Sequence, residues 1–277
     1  MSAPKLRYGR ISYVNVLPVE AAFDAGAIAR DVDVFGAVPA QLNAAMSDGR
    51  IDAGAISAAH FLAHRDRFAR IADLCIAADG PVRTVLFVSP TPPALLGDAA
   101  VAVTSHSASG RALLAALLSR FPDVRPRYEV VDDALSAARA GRPALVIGDD
   151  ALVARAELPQ GHIHDLGDAW RHWTGLPFVF AVWAVRREIL ETRAGEVAAL
   201  SDALVTARAW GEVNRTAVID AAVAAKPYHR GLYDDYFTRL SYRLDERALR
   251  GLDLFETTLA GDELDVARSR SRPRHRR

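Results

Sequence analysis

The chain has 277 residues, 51% of them apolar, which is enough to bury a sizeable core and excludes a disordered scaffold. Thirty-four basic and thirty-four acidic side chains give a formal net charge of zero. No global field therefore draws in nucleic acid or an anionic membrane, and any anion must be bound locally.

In chain order, short β-branched and apolar runs alternate with alanine-rich segments at helical spacing, the pattern of an α/β protein. A strand is expected over 10–13, a helix over 38–48 and strands over 53–56, 84–88 and 101–103. Helices over 110–120 and 132–140, strands over 144–147 and 178–185 and a long helix over 189–214 follow. The stretch 228–259 also has helical periodicity, with Leu232, Tyr236, Leu240, Leu249, Leu252 and Phe255 on its apolar positions. Residues 268–277 hold six arginines and no apolar side chain, so a disordered basic tail is expected there. No segment offers the roughly 20 apolar residues of a membrane helix. The N-terminus does not read as a secretory signal, so the expected location is the cytoplasm, with no membrane or nucleic-acid partner. Oligomeric state is not legible.

Two places read as crossings between lobes. Ser89-Pro90-Thr91-Pro92-Pro93 ends the strand before it and stiffens the chain, and Thr174-Gly175-Leu176-Pro177 precedes the apolar run 178–185. The expected organisation is a discontinuous first lobe, 1–91 with 180–267, and an inserted second lobe, 92–179. Two connections make a hinge, and a hinge makes a cleft that closes on a small molecule.

The usual catalytic signatures are missing: no His-Glu-x-x-His, Cys-x-x-Cys, P-loop or dinucleotide fingerprint, so no metal and no cofactor are expected. His60 and His64 are spaced to flank a metal but lack an evident third ligand, and read as surface histidines. The single cysteine, Cys75, sits in an apolar run and reads as core. Polar residues instead gather where strands end: Ser12, Tyr13 and Asn15, then Ser57, then Ser107 and Ser109 before Arg111. Ligands of open α/β sheets sit beyond the carboxyl ends of strands, so these groups should share one crevice. The seryl loop either presents a helix N-terminus to an anion or simply caps it.

Arg10-Ile11-Ser12-Tyr13-Val14-Asn15-Val16-Leu17-Pro18 resembles the opening motif of the chorismate dehydratases of the futalosine pathway of menaquinone biosynthesis. Gly49 to Ser57, Gly80 to Leu86, Ser107-Ala108-Ser109, Ile147-Gly148-Asp149, Asp165-Leu166-Gly167 and Trp173 to Trp183 are similar to that family's further motifs, in its order. The resemblance implies a type II periplasmic-binding-protein-like fold of two α/β lobes with the cleft between them. It implies chorismate as substrate and 3-[(1-carboxyvinyl)oxy]benzoate as product. It also places Asn15 in the cleft and, where the family has a serine, Thr84, which keeps the hydroxyl but adds a methyl. These two are the expected catalytic residues. Ser12, Tyr13, Ser57, Ser107, Ser109, Asp149, Thr174 and Gly175 are the expected substrate contacts. Arg83 and Thr84 are neighbours in an expected strand and so cannot both face the cleft; the motif favours Thr84.

The implied reaction removes the ring C3 proton and the C4 hydroxyl, and aromatisation drives it. An amide is not a base, so Asn15 is expected to orient, and the enolpyruvyl carboxylate of the substrate to take the proton. Asp149 is the competing base, or a cap for a helix starting at Asp150 or Ala151. The rival from another class is a cytoplasmic small-anion-binding protein of the same fold that does not catalyse.

Overall fold

A computed structural model describes the backbone of residues 4–105 and 107–270 and the side chains up to residue 259. The chain begins with β1 (Leu6–Ile11), α1 (Leu17–Asp24), β2 (Val32–Ala37), α2 (Pro39–Ser47), β3 (Ala53–Ser57), α3 (Ala58–Ala63) and β4 (Phe68–Ala78). It continues through β5 (Val85–Val88), β6 (Ala100–Val103), α4 (Ala108–Leu118), β7 (Arg127–Val130), α5 (Ala134–Arg139), β8 (Ala144–Ile147), α6 (Gly148–Glu157), β9 (Ile163–Asp165) and α7 (Leu166–Thr174). The last stretch is β10 (Phe178–Arg186), α8 (Arg187–Thr192), α9 (Ala194–Val213), α10 (Arg215–Ala225), α11 (Arg230–Thr238), β11 (Leu240–Arg243) and α12 (Glu246–Arg270).

Two sheets result, with orders β11-β4-β10-β3-β1-β2 and β7-β6-β8-β5-β9. In each, the parallel strands (β1, β2 and β3; β6, β7 and β8) come from short βα units, and an antiparallel strand (β10; β5) closes the group beside them. The inner strands are largely buried: every residue of β3, of β5 and of Cys75 to Ala78 in β4 is buried. Small residues let layers approach. A Cβ on Gly54 would lie 2.4 Å from the Gly9 carbonyl oxygen, and Gly54 has φ +154°, so only glycine serves where β3 passes β1. A buried polar chain crosses the first lobe: Trp183 Nε1 donates to Tyr8 Oη at 2.8 Å, Tyr8 Oη to Glu20 at 2.6 Å, and Arg30 neutralises Glu20.

The two-lobed α/β architecture with an inserted lobe agrees with the expectation, but the first crossing comes earlier than the prolines suggest. β5 pairs with β8 and β9, so the strand expected to close the first lobe belongs to the second, and the boundary expected at 91/92 is displaced to residues 79–84. The prolines instead shape the turn between β5 and β6, where Ser89 Oγ accepts from Thr91 N–H at 3.2 Å and donates to its carbonyl at 2.6 Å. The return crossing lies at residues 175–177, ahead of the expected 179/180. Three further expectations change. The helix of 189–214 breaks at Arg193 into α8 and α9, β11 interrupts the helical stretch of 228–259, and residues 268–270 of the expected tail end α12. The rest of that tail, 271–277, lies outside the described residues, as does His106.

Asp165 anchors the first crossing. Its carboxylate caps α7 by accepting from the N–H groups of Gly167 at 3.0 Å and Asp168 at 3.2 Å, and it also accepts from Val82 N–H at 3.0 Å and Arg83 N–H at 2.7 Å. The missing side chain of Gly167 makes room, since a Cβ there would stand 2.6 Å from the Gly80 carbonyl oxygen. At the return crossing Trp170 is fully buried, edge-on to Trp173, Phe178 and Phe255 with ring centroids 5.4, 5.3 and 6.0 Å away. That cluster joins α7 of the second lobe to β10 and α12 of the first.

Candidate active site

Between the lobes lies a cavity of about 100 Å³ at the carboxyl ends of the strands, room for several waters by the usual measure of about 10–15 Å³ each. β1 leads into Tyr13, Val14 and Asn15; β3 ends at Ser57; β6 leads into Ser107, Ala108 and Ser109; β8 leads into Gly148 and Asp149. The first crossing supplies Val82 and Thr84, β10 supplies Phe180 and Ala181, and α11 supplies Tyr236. The walls are otherwise aliphatic, through Ile11, Ile76, Ile147, Leu152 and Leu240.

Asn15 sits in a 3-10 turn, Val14–Val16, between β1 and α1. Its backbone carbonyl accepts from Tyr242 Oη of β11 at 2.7 Å, which fixes the residue. Its side-chain Oδ1 is buried with no hydrogen-bond partner. A buried amide oxygen without a donor is costly, and the residue that carries it lines the cavity.

The hydroxyls divide into free and committed. Ser57 Oγ accepts from Asn43 Nδ2 at 2.8 Å and from His60 N–H at 3.4 Å, so its own hydrogen is left to donate. Ser107 caps α4 by accepting from Gly110 N–H at 3.1 Å and likewise keeps its hydrogen. Thr84 Oγ1 lies 3.2 Å from Tyr236 Oη, and its backbone carbonyl accepts from Gly148 N–H at 2.8 Å. Burial pushes the Tyr236 phenol up to about 12, so it stays protonated. Ser109 is different. It lines the cavity, yet it donates to the Phe180 carbonyl at 2.8 Å and accepts from Ala59 N–H at 3.2 Å, which makes it a rivet between the lobes with no hydrogen left for a ligand.

Asp149 lies in the first turn of α6, whose N-cap is Ile147, so it does not cap the helix. Lys226, at the end of α10 in the first lobe, forms an ion pair with its carboxylate. The α4 and α6 N-termini meet the cavity with first-turn N–H groups that no helical carbonyl satisfies, a local positive field in a site that no lysine or arginine lines among the described residues. Tyr13 also lines the cavity: burial first, and the charge of Asp150 second, raise its phenol.

Seven of the ten expected site residues meet here: Tyr13, Asn15, Ser57, Thr84, Ser107, Ser109 and Asp149. Three do not line the cavity. Ser12 is exposed, and its N–H pairs with the Ala37 carbonyl at 3.0 Å as β1 ends. Thr174 Oγ1 donates to Trp170 O at 2.9 Å and accepts from Leu176 N–H at 3.1 Å. Gly175 terminates α7 with φ +71°. A helix end thus occupies the place where two substrate contacts were expected. Arg83 turns away as expected, though not by strand alternation: its backbone has φ +67°, and its guanidinium pairs with Asp235 at 3.0 Å. Tyr236 escaped sequence reading because its helical spacing looked like core; only its hydroxyl hinted otherwise. His60 bonds Ser47 Oγ at 2.9 Å and lies tilted against His64, ring centroids 4.4 Å apart. No group of three or more metal-ligating side chains occurs among the described residues.

Residues 6–260 match the menaquinone biosynthesis family. The chain belongs to that family. This family member is 34% identical over 242 residues to the chorismate dehydratase of Thermus thermophilus, covering 82% of this chain and 86% of that one. Among solved structures it resembles an Archaeoglobus fulgidus protein with a TM-score of 0.75 at 16% identity, covering 94% and 98% of the two chains. The periplasmic aliphatic sulphonate binding protein SsuA of Escherichia coli aligns with a TM-score of 0.66 at 16% identity, covering 95% and 89%. These likenesses show the fold: this member of the menaquinone biosynthesis family folds as a periplasmic binding protein does.

Proposed function

We propose that this cavity converts chorismate to 3-[(1-carboxyvinyl)oxy]benzoate and water, as a hydro-lyase of menaquinone biosynthesis in the cytoplasm. The observation that carries the reading is the buried, partnerless Asn15 Oδ1 in a cavity flanked by two helix N-termini. Chorismate supplies what those groups lack, a C4 hydroxyl to donate to the amide and two carboxylates to receive N–H and O–H donors. The ring carboxylate lies against Ser107 and the first turn of α4, where negative charge spreading from C3 through the alkene is stabilised. The enolpyruvyl carboxylate takes the C3 proton, the C3–H electron pair forms the C3=C4 bond as the C4–O bond breaks, and the carboxyl group passes the same proton to the departing hydroxide, which leaves as water. Thr84, whose hydroxyl donates to Tyr236 Oη, offers its oxygen as an acceptor to the substrate and helps hold the pose.

Asp149 as the base is the less favoured route, because its carboxylate is already engaged in an ion pair with Lys226. Chorismate is mixed with the purified protein, and loss of the diene absorbance and product mass are followed for wild type, Asn15→Ala and Asp149→Asn. Turnover by wild type, a loss of about a hundredfold or more in kcat for Asn15→Ala and a residual rate for Asp149→Asn are expected. Abolition by Asp149→Asn alone would overturn substrate-assisted deprotonation. The likeness to a sulphonate-binding protein favours one other reading, a small-anion binder without catalysis; tight binding with no product would establish it.

A further inference from the structure

We propose that Lys226 is a positioning residue which sets the charge of the cavity through Asp149, and so admits a substrate carrying two carboxylates. The inference rests on the chorismate reading above and concerns a side chain outside the cavity wall. Asp149 is the only carboxylate lining the cavity among the described residues, and no lysine or arginine lines it. Left alone, that carboxylate would repel a dianion in a site where apolar walls weaken screening.

Lys226 Nζ pairs with Asp149 Oδ2 across the gap between the lobes. Lys226 follows α10 in the first lobe, and Asp149 stands in the first turn of α6 in the second. The lysine side chain is 43% exposed and the aspartate 23%, so the cation sits at the rim and the carboxylate faces inward. The other charges nearby offer no substitute. Arg83 and Arg239 are both held by Asp235, and Asp150 adds a second negative charge on the same turn as Asp149. Because the partners come from different lobes, the pair is completed only when the lobes meet. Sealing the cavity and cancelling its negative charge are therefore one movement, and the helix N-termini then act on the substrate unopposed.

The test uses calorimetric dissociation constants, which do not depend on turnover. Wild type, Lys226→Gln, Lys226→Arg, Asp149→Asn and the double variant Lys226→Gln with Asp149→Asn are titrated with 3-[(1-carboxyvinyl)oxy]benzoate. They are also titrated with 3-ethoxybenzoate, of similar shape with one carboxylate. Charge compensation predicts that Lys226→Gln weakens the dianion about tenfold and the monoanion about threefold. Lys226→Arg retains affinity, and adding Asp149→Asn to Lys226→Gln recovers most of the dianion affinity. An unchanged dianion constant for Lys226→Gln, an equal loss for both ligands, or no recovery in the double variant would each overturn the proposal. Wild-type turnover of chorismate is measured alongside. A wild type that neither turns over chorismate nor binds the product defeats the chorismate reading and this inference with it; an active wild type with an unresponsive Lys226→Gln defeats this inference alone.

Discussion

Asn15 holds its amide oxygen out of water with nothing to receive, a state that costs about 1–3 kcal/mol and persists because the backbone is pinned by Tyr242. Asn15→Leu should therefore raise the melting temperature of the ligand-free protein by about 2 °C or more while removing turnover, a pairing that differential scanning fluorimetry and a diene assay check together. Tyr236→Phe deletes the partner of Thr84 without altering volume appreciably; a fall in kcat of about threefold to tenfold with an unchanged fold is expected. A pH effect follows from His60, whose imidazole burial depresses to about 4, with the neighbouring His64 and Arg67 adding to the shift. The unfolded chain binds a proton near 6.5 and the folded one does not until about 4. Stability is thus full above pH 6.5 and declines as pH falls toward 4, a window above most carboxylate titrations. Melting temperatures at about pH 7 and about pH 5 should differ by less in His60→Gln than in wild type.

At the scale of elements, one carboxylate sets where the crossing runs. Asp165 takes four backbone N–H groups, two from α7 and two from the segment that delivers Thr84. Asp165→Ala should cost about 2 kcal/mol or more in urea unfolding and lower kcat as well, because Thr84 loses its anchor. What sequence could reveal here depended on local signals. Ala144 to Ile147 is a continuous apolar run and its strand is legible to the residue, whereas β4 is not legible although it is paired on both sides. The cause is visible in its backbone: Ala72 and Asp73 adopt φ +65° and +43°, a bulge that shifts register against β10 between Arg70 and Cys75 and breaks the period-two pattern. Asn15, Ser57 and Ser107 were legible because polar groups directly after strands are informative in any α/β fold. Tyr236 and Lys226 were not, since they reach the cleft from α11 and the end of α10, remote in sequence and placed only by tertiary packing. Thr174 and Gly175 end a helix, a role that a Thr-Gly pair fills as readily as that of a substrate contact.

For the whole molecule, the lobes are joined by more than two threads of backbone. The ring cluster around Trp170 makes the return crossing a packed joint, and Trp170 Nε1 also donates to the Pro177 carbonyl at 3.2 Å. Trp170→Ala should cost about 3–5 kcal/mol and impair turnover out of proportion to its distance from the cavity, because the walls lose alignment. Measuring kcat well below the lowered melting temperature separates misalignment from unfolding. The order of strands carries one further consequence, for synthesis. β10 lies between β3 and β4, so the seam of the first sheet stays empty until residue 186 has left the ribosome, by which time all five strands of the second have emerged. The younger half of the nascent chain can therefore finish before the older half, and a released truncated chain ending near residue 177 should resist protease over 85–174 while remaining cleavable between 6 and 78.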